Sequence, residues 1–93
     1  MAYKDMGDLT RAFAKDPGFD EVACKVFLYY ISQIANPNAA GCVTKWDLRE
    51  VLTILEISRE AYDKTMQAIS AKGFISIEEQ NEYQQVIEAN LAS

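Results

Sequence analysis

Histidine is absent from the 93 residues, so the chemistry left to the chain is that of carboxylates, two thiols and a few cations. Without an imidazole the commonest general base is missing. Cys24 and Cys42 form no CxxC pair and have no histidine to join, which excludes nearly every common zinc pattern. They read as two reduced, buried thiols. No glycine-rich phosphate loop occurs. Glu78 and Glu79 could share acid–base work, but adjacent carboxylates at a turn or helix start ordinarily serve as solvated capping groups. The expectation is a non-enzymatic protein with no metal and no cofactor.

The carboxylates matter more as a charge pattern. Lys and Arg total 9, Asp and Glu total 14, and the net charge is −5. Residues 44–73 balance Lys45, Arg49, Arg59, Lys64 and Lys72 against Asp47, Glu50, Glu56, Glu60 and Asp63. Residues 74–93 carry Glu78, Glu79, Glu82 and Glu88 and no base at all. Such a segment suits Lys or Arg on a partner, through those four glutamates.

The length allows one domain, which buries roughly 60–65% of its unfolded surface. The 49% hydrophobic content is enough to fill one core. The N-terminus mixes charges early and has no apolar targeting core. The longest apolar-rich stretch, Val22 to Ala35, contains Lys25 and falls short of the ~20 residues that span a bilayer. A soluble, cytoplasmic protein with no membrane contact is expected.

The elements that must position these groups follow from spacing. Tyr3, Met6, Leu9 and Phe13 predict a first amphipathic helix over 2–14, with Gly7 costing it about 1 kcal/mol relative to Ala. Asp16-Pro17-Gly18 ends it. A second helix is expected over 19–35, with Asp20 and Glu21 at its positive end. Its apolar residues run nearly all round, which marks a central core helix. Alternatively, Phe27, Tyr29 and Tyr30 offer a face to a second copy. Asn36 to Gly41 reads as a loop and Cys42-Val43 as a short strand. Thr44 is the expected cap of a third helix, with Asp47 completing a shortened capping box and Leu48, Val51, Leu52 and Leu55 as its stripe. Trp46, near its start, reads as a packed aromatic edge rather than a binding residue. Ser58 caps a fourth helix bearing Tyr62, Met66 and Ile69, and Lys72-Gly73 ends it.

The C-terminal segment admits two readings. Glu79 to Glu82 can be the tip of a hairpin, with Asn81 at positive φ and strands over 74–78 and 83–88. A helix over 77–91 competes, with Ser76-x-x-Glu79 as capping box and Tyr83, Val86, Ile87 and Leu91 as its face. The hairpin is the expectation.

The run Leu55-Glu56-Ile57-Ser58, followed by Ile69-Ser70-Ala71-Lys72-Gly73-Phe74-Ile75, resembles the winged helix-turn-helix superfamily, and so does the order of elements from about Phe19 to Leu91. Similar proteins show an apolar–Gly–apolar–Ser turn and a Lys-Gly exit into the wing. Glu56 departs from this, since a non-glycine residue at positive φ is strained by about 1 kcal/mol, and a different turn is expected there. The resemblance implies a mainly α domain with a small β-hairpin, residues 19–93, preceded by an N-terminal helix and turn, residues 1–18. It implies that the fourth helix enters a DNA groove. Arg59, Lys64 and Gln67 would then read bases or phosphates, and Lys45 and Arg49 would hold phosphates. Glu60 and Asp63 beside them would repel phosphate. Two functions are expected on this footing. One is a small DNA-binding regulator of transcription or replication. The other is an acidic protein-binding module, such as a phage-type inhibitor seated on a basic nucleic-acid site of a host protein. A homodimer is compatible with either.

Overall fold

In the computed structural model, residues 2–35 and 41–92 are described. The first helix, α1 (Met6–Lys15), is capped by Asp5, whose Oδ1 accepts the Asp8 N–H at 2.8 Å. It starts later than the apolar spacing suggests, because Tyr3 is used elsewhere. Tyr3 bridges to Leu91, donates its N–H to the Asn90 carbonyl at 2.9 Å, and stacks on Phe74. The helix stops at Asp16, whose extended backbone precedes Pro17.

Asp20 caps α2 (Glu21–Ile34) by accepting from the Ala23 N–H at 3.0 Å. Ala23, Val26, Phe27 and Tyr30 are buried. The core-helix reading, and not the alternative of a face for a second copy, describes where these rings go: Phe27 stacks on Phe13 at 4.0 Å, Tyr30 donates to the Cys42 carbonyl, and Tyr29 leans on Trp46. Nor is α2 buried all round. Cys24 is exposed, contrary to expectation, and Leu28 is 67% exposed, because their side of the helix has no neighbouring element to cover it.

The Asn36–Gly41 loop lies outside the described residues except for Gly41, which takes φ 62°. The following strand, β1 (Val43–Asp47), runs longer than expected and absorbs Thr44. Alternation decides this: Thr44 and Trp46 point inward while Lys45 is exposed. The cap of α3 (Leu48–Leu55) is therefore Asp47, not Thr44, with its Oδ1 2.8 Å from the Arg49 nitrogen. Glu56 ends α3 at φ 54° and ψ 47°. The turn keeps left-handed geometry despite lacking glycine.

Ser58 caps α4 (Arg59–Ala71) through Oγ, which accepts the Ala61 N–H at 3.1 Å, and Gly73 follows the helix at φ 83°. Two strands then form, β2 (Ile75–Glu79) and β3 (Gln84–Ala89), in place of the competing helix. The hairpin wins because β3 pairs on both sides. The antiparallel sheet has the order β1-β3-β2, with Thr44, Ile87 and Ile77 in one row and Lys45, Val86 and Glu78 in the next. Asn81 organises the tip without positive φ: its Oδ1 accepts the N–H groups of Tyr83 and Gln84, each at 3.0 Å. The whole is a small, mostly helical α/β fold whose core draws Leu9 and Phe13 of α1 together with Val26, Val51, Tyr62, Ile69 and Ile87.

Candidate interaction face

Strand alternation divides the acidic residues between two faces of the sheet. Glu78 and Glu88 share the outward parity with Lys45 and Val86, and all three charged residues are exposed. Glu79 has the inward parity, in register with Gln85 and Trp46, but stands at the open end of β2. Its carboxylate lies 3.5 Å from the Gln85 amide nitrogen. Glu82 is at the hairpin tip. The four glutamates thus surround the hairpin instead of forming a single patch.

A groove of about 670 Å³ separates α4 from the hairpin. Arg59, Asp63, Gln67 and Ser70 line one wall, Ile77 and Glu79 the other, and Met66 lies at its base. A shallower hollow of about 470 Å³ continues past Arg59 to the tip, among Glu79, Gln80, Asn81 and Glu82.

A buried polar chain holds the two walls together. Trp46 Nε1 donates to the Tyr62 hydroxyl at 3.0 Å, and that hydroxyl donates to Gln85 Oε1 at 2.7 Å. Burial pushes the Tyr62 phenol well above its ordinary pKa, so it stays protonated and able to donate. Gln85 is itself only 5% exposed. The chain links β1, α4 and β3 and ties α4 to the hairpin. Sequence spacing gave no sign of it, because Tyr62 and Gln85 meet only through tertiary packing.

The five cationic and amide residues expected on DNA do not make one strip. Arg59, Lys64 and Gln67 are all exposed on α4. Arg49 reaches the hairpin tip from α3, with its guanidinium carbon 4.5 Å from the Tyr83 ring centroid. Lys45 stands on the outer face of the sheet. Both arginines are already paired. Arg59 Nε is 2.9 Å from Asp63, and a second nitrogen reaches the Glu82 carbonyl at 3.4 Å. Arg49 makes a two-pronged contact with Asp47 at 2.7 and 3.1 Å. The hydrogen bond from Arg49 is the main reason that the Asp47 carboxyl sits at about 2, below its usual range. Among the described residues, no ion pair engages Lys45 or Lys64. The i, i+4 spacing of Arg59 and Asp63 was a legible signal of pairing; the Asp47–Arg49 pair, two positions apart across a strand–helix junction, was not.

Comparison with protein-family models, curated proteins and solved structures finds no match.

The chemistry of this face therefore rests on its own residues. Among those described, no group of three or more His, Cys, Asp or Glu side chains is gathered to hold a metal ion, and no helix is long and apolar enough to cross a membrane. What the face offers is a groove of mixed polarity with paired arginines, with Glu79 in its wall and Glu82 at the adjoining tip.

Proposed function

We propose that this chain is a non-enzymatic interaction module of winged-helix type, with α3 and α4 as its helix-turn-helix and β2–β3 as its wing, and that the α4–hairpin face binds a basic surface on another protein. The winged-helix reading is supported by the order of elements and by the β1-β3-β2 sheet. One observation carries the choice of partner. The arginines nearest the hairpin are each held by an aspartate, whereas Glu79 and Glu82, which line the α4–hairpin face, form no ion pair among the described residues. Phosphate binding draws its affinity from cations that displace counterions. A neutralised helix beside an acidic wing supplies little of that, and supplies carboxylates ready for Lys or Arg instead. Both cysteines are free, which suits a reducing cytoplasm.

Capture from nuclease-treated host lysate tests this reading. The wild type should retain a basic partner that salt releases, and the variant with Glu78, Glu79, Glu82 and Glu88 all changed to Gln should lose it. Equal recovery by both would reject the electrostatic basis.

DNA binding is the second reading, favoured by Lys64 and Gln67, which stand exposed on the helix that the resemblance assigns to a groove. Gel shift at low salt with random and genomic duplex pools tests it. The absence of any shift at tens of micromolar protein, about the range of non-specific binding, would exclude it.

A further inference from the structure

The strand order β1-β3-β2 leaves β2 with one side unpaired. Which groups face that side follows from the ladder. The Asn90 N–H donates to the Phe74 carbonyl at 3.0 Å, and the Gln80 N–H to the Gln84 carbonyl at 2.9 Å. By antiparallel alternation Ser76 and Glu78 also turn their backbone groups to β3, and Ile77 and Glu79 turn theirs away. Among the described residues, no backbone group bonds to the outward N–H and C=O of Ile77 and Glu79. Open edges are ordinarily blunted by a lysine, a proline, a bulge or a covering segment. The β2 residues Ile75-Ser76-Ile77-Glu78-Glu79 include no lysine or proline, and their register with β3 runs without a bulge. Ile77 and Glu79 border the groove of about 670 Å³ along α4.

Charge indicates which strand fits this edge. Successive strand residues point to opposite faces, so Glu78 and Glu79 set one carboxylate on each side of it. On the groove side Arg59 is held by Asp63 and the Glu82 carbonyl, and Glu79 forms no ion pair. On the outer side Glu78 shares its face with Glu88, and Lys45 lies two strands away. The β2 strand of a second copy would crowd four glutamates along one seam, and like charges across a strand pair are destabilising. An extended segment carrying Lys or Arg meets a carboxylate on either face and free main-chain groups between them. We infer that β2 accepts a basic segment of a partner protein as an added strand, bonded through the backbone of Ile77 and Glu79 and selected by Glu78 and Glu79. This rests on the acidic-face reading above and adds how the partner is held: main-chain bonds attach it and side chains choose it.

Two labelled peptides test the inference at physiological salt. One is an eight-residue chain of alternating Lys and Val; the other has the same sequence N-methylated at every residue, which keeps the charge and removes the main-chain N–H groups. Anisotropy should show saturable binding of the first with Kd below about 1 mM, the weak end of specific association. The second should bind at least about tenfold more weakly, as the loss of two hydrogen bonds implies. Hydrogen exchange of the Ile77 and Glu79 amides should slow when the first peptide binds, with Ser76 and Glu78, already paired to β3, as the reference. The Glu78→Gln/Glu79→Gln variant should bind the first peptide at least about tenfold more weakly than wild type. Equal binding of both peptides, or unprotected Ile77 and Glu79 amides in the complex, overturns strand pairing and leaves the acidic-face reading standing. Equal binding of the first peptide by wild type and variant overturns selection by the glutamates. Binding of neither peptide up to about 1 mM overturns the inference as a whole.

Discussion

Arg59 and Asp63 lie one turn apart on α4, with Nε 2.9 Å from the carboxylate, so the first cation of α4 is neutralised by the helix itself. Both side chains are about half exposed, and such a pair contributes less than about 1 kcal/mol to stability. Its consequence is electrostatic. Asp63→Asn should leave the urea midpoint nearly unchanged. It should give the protein measurable affinity for duplex DNA at low salt, with a salt slope steeper by about one unit for one freed cation. Anisotropy titration at several salt concentrations measures this.

Removal of the Tyr62 hydroxyl strands two buried groups, the Trp46 N–H and the Gln85 carbonyl oxygen. Each lost partner costs about 1–3 kcal/mol. Tyr62→Phe should therefore destabilise the fold by about 2–6 kcal/mol, lowering the melting temperature by about 4–8 °C per kcal/mol. Tyr83→Phe, at the exposed tip, should cost almost nothing. Urea unfolding followed by Trp46 fluorescence separates the two.

Glu56 at φ 54° is the only non-glycine residue at positive φ among those described. An L-residue in that conformation is strained by about 1–2 kcal/mol, and glycine recovers this less its own greater chain entropy, about 0.5–1 kcal/mol. Glu56→Gly should stabilise by about 0.5–1 kcal/mol. A β-branched substitution, Glu56→Val, should destabilise. Chemical denaturation of the two variants gives opposite signs if the turn geometry is correct.

The folded Asp47 carboxyl titrates at about 2, against 3.8 in the unfolded chain, because Arg49 hydrogen-bonds its charged form. Lys72 lowers Asp16 in the same direction. A depressed carboxyl contributes its stability above the unfolded value and loses it as pH falls through the folded one. Stability should therefore decline between about pH 4 and pH 2. Arg49→Gln should flatten that decline and leave the slope above pH 5 unchanged. Thermal melts across the acid range test the sign.

Much of this fold is written locally. Ser58 and Gly73 end helices through their own side chain or lack of one, as their types predict; Asp20, expected inside a helix starting at Phe19, is instead its cap, and α2 begins at Glu21. Thr44 failed as a cap because a β-branched residue in an alternating Val43–Trp46 run fits a strand equally well, and pairing with β3 decided it. The C-terminal hairpin was a close choice for the same reason: Gln84–Ala89 has helical propensity, and only pairing on both sides makes it a strand. On the candidate face, exposure of Arg59, Lys64 and Gln67 followed from helical period. The Trp46–Tyr62–Gln85 chain did not, because it depends on how distant segments meet, and the Asp47–Arg49 contact did not, because it needs the junction of β1 with α3 that pairing with β3 sets. The exposure of Cys24 and Leu28 has the same origin, since an apolar helix face does not reveal whether anything covers it.

On the proposed function the hairpin glutamates set the sign of the field around the α4–hairpin face, and an anisotropy titration of a labelled mixed-sequence duplex at low salt tests that most directly. Wild type and the variant with Glu78, Glu79, Glu82 and Glu88 changed to Gln are compared; the four changes bring the net charge from −5 to −1 (−5 + 4). The expected result is no saturable binding by the wild type and weak, salt-sensitive binding by the variant, at about 10⁻⁴ M. Saturable wild-type binding at micromolar protein, undiminished relative to the variant, would contradict the acidic-face reading and return the fold to DNA.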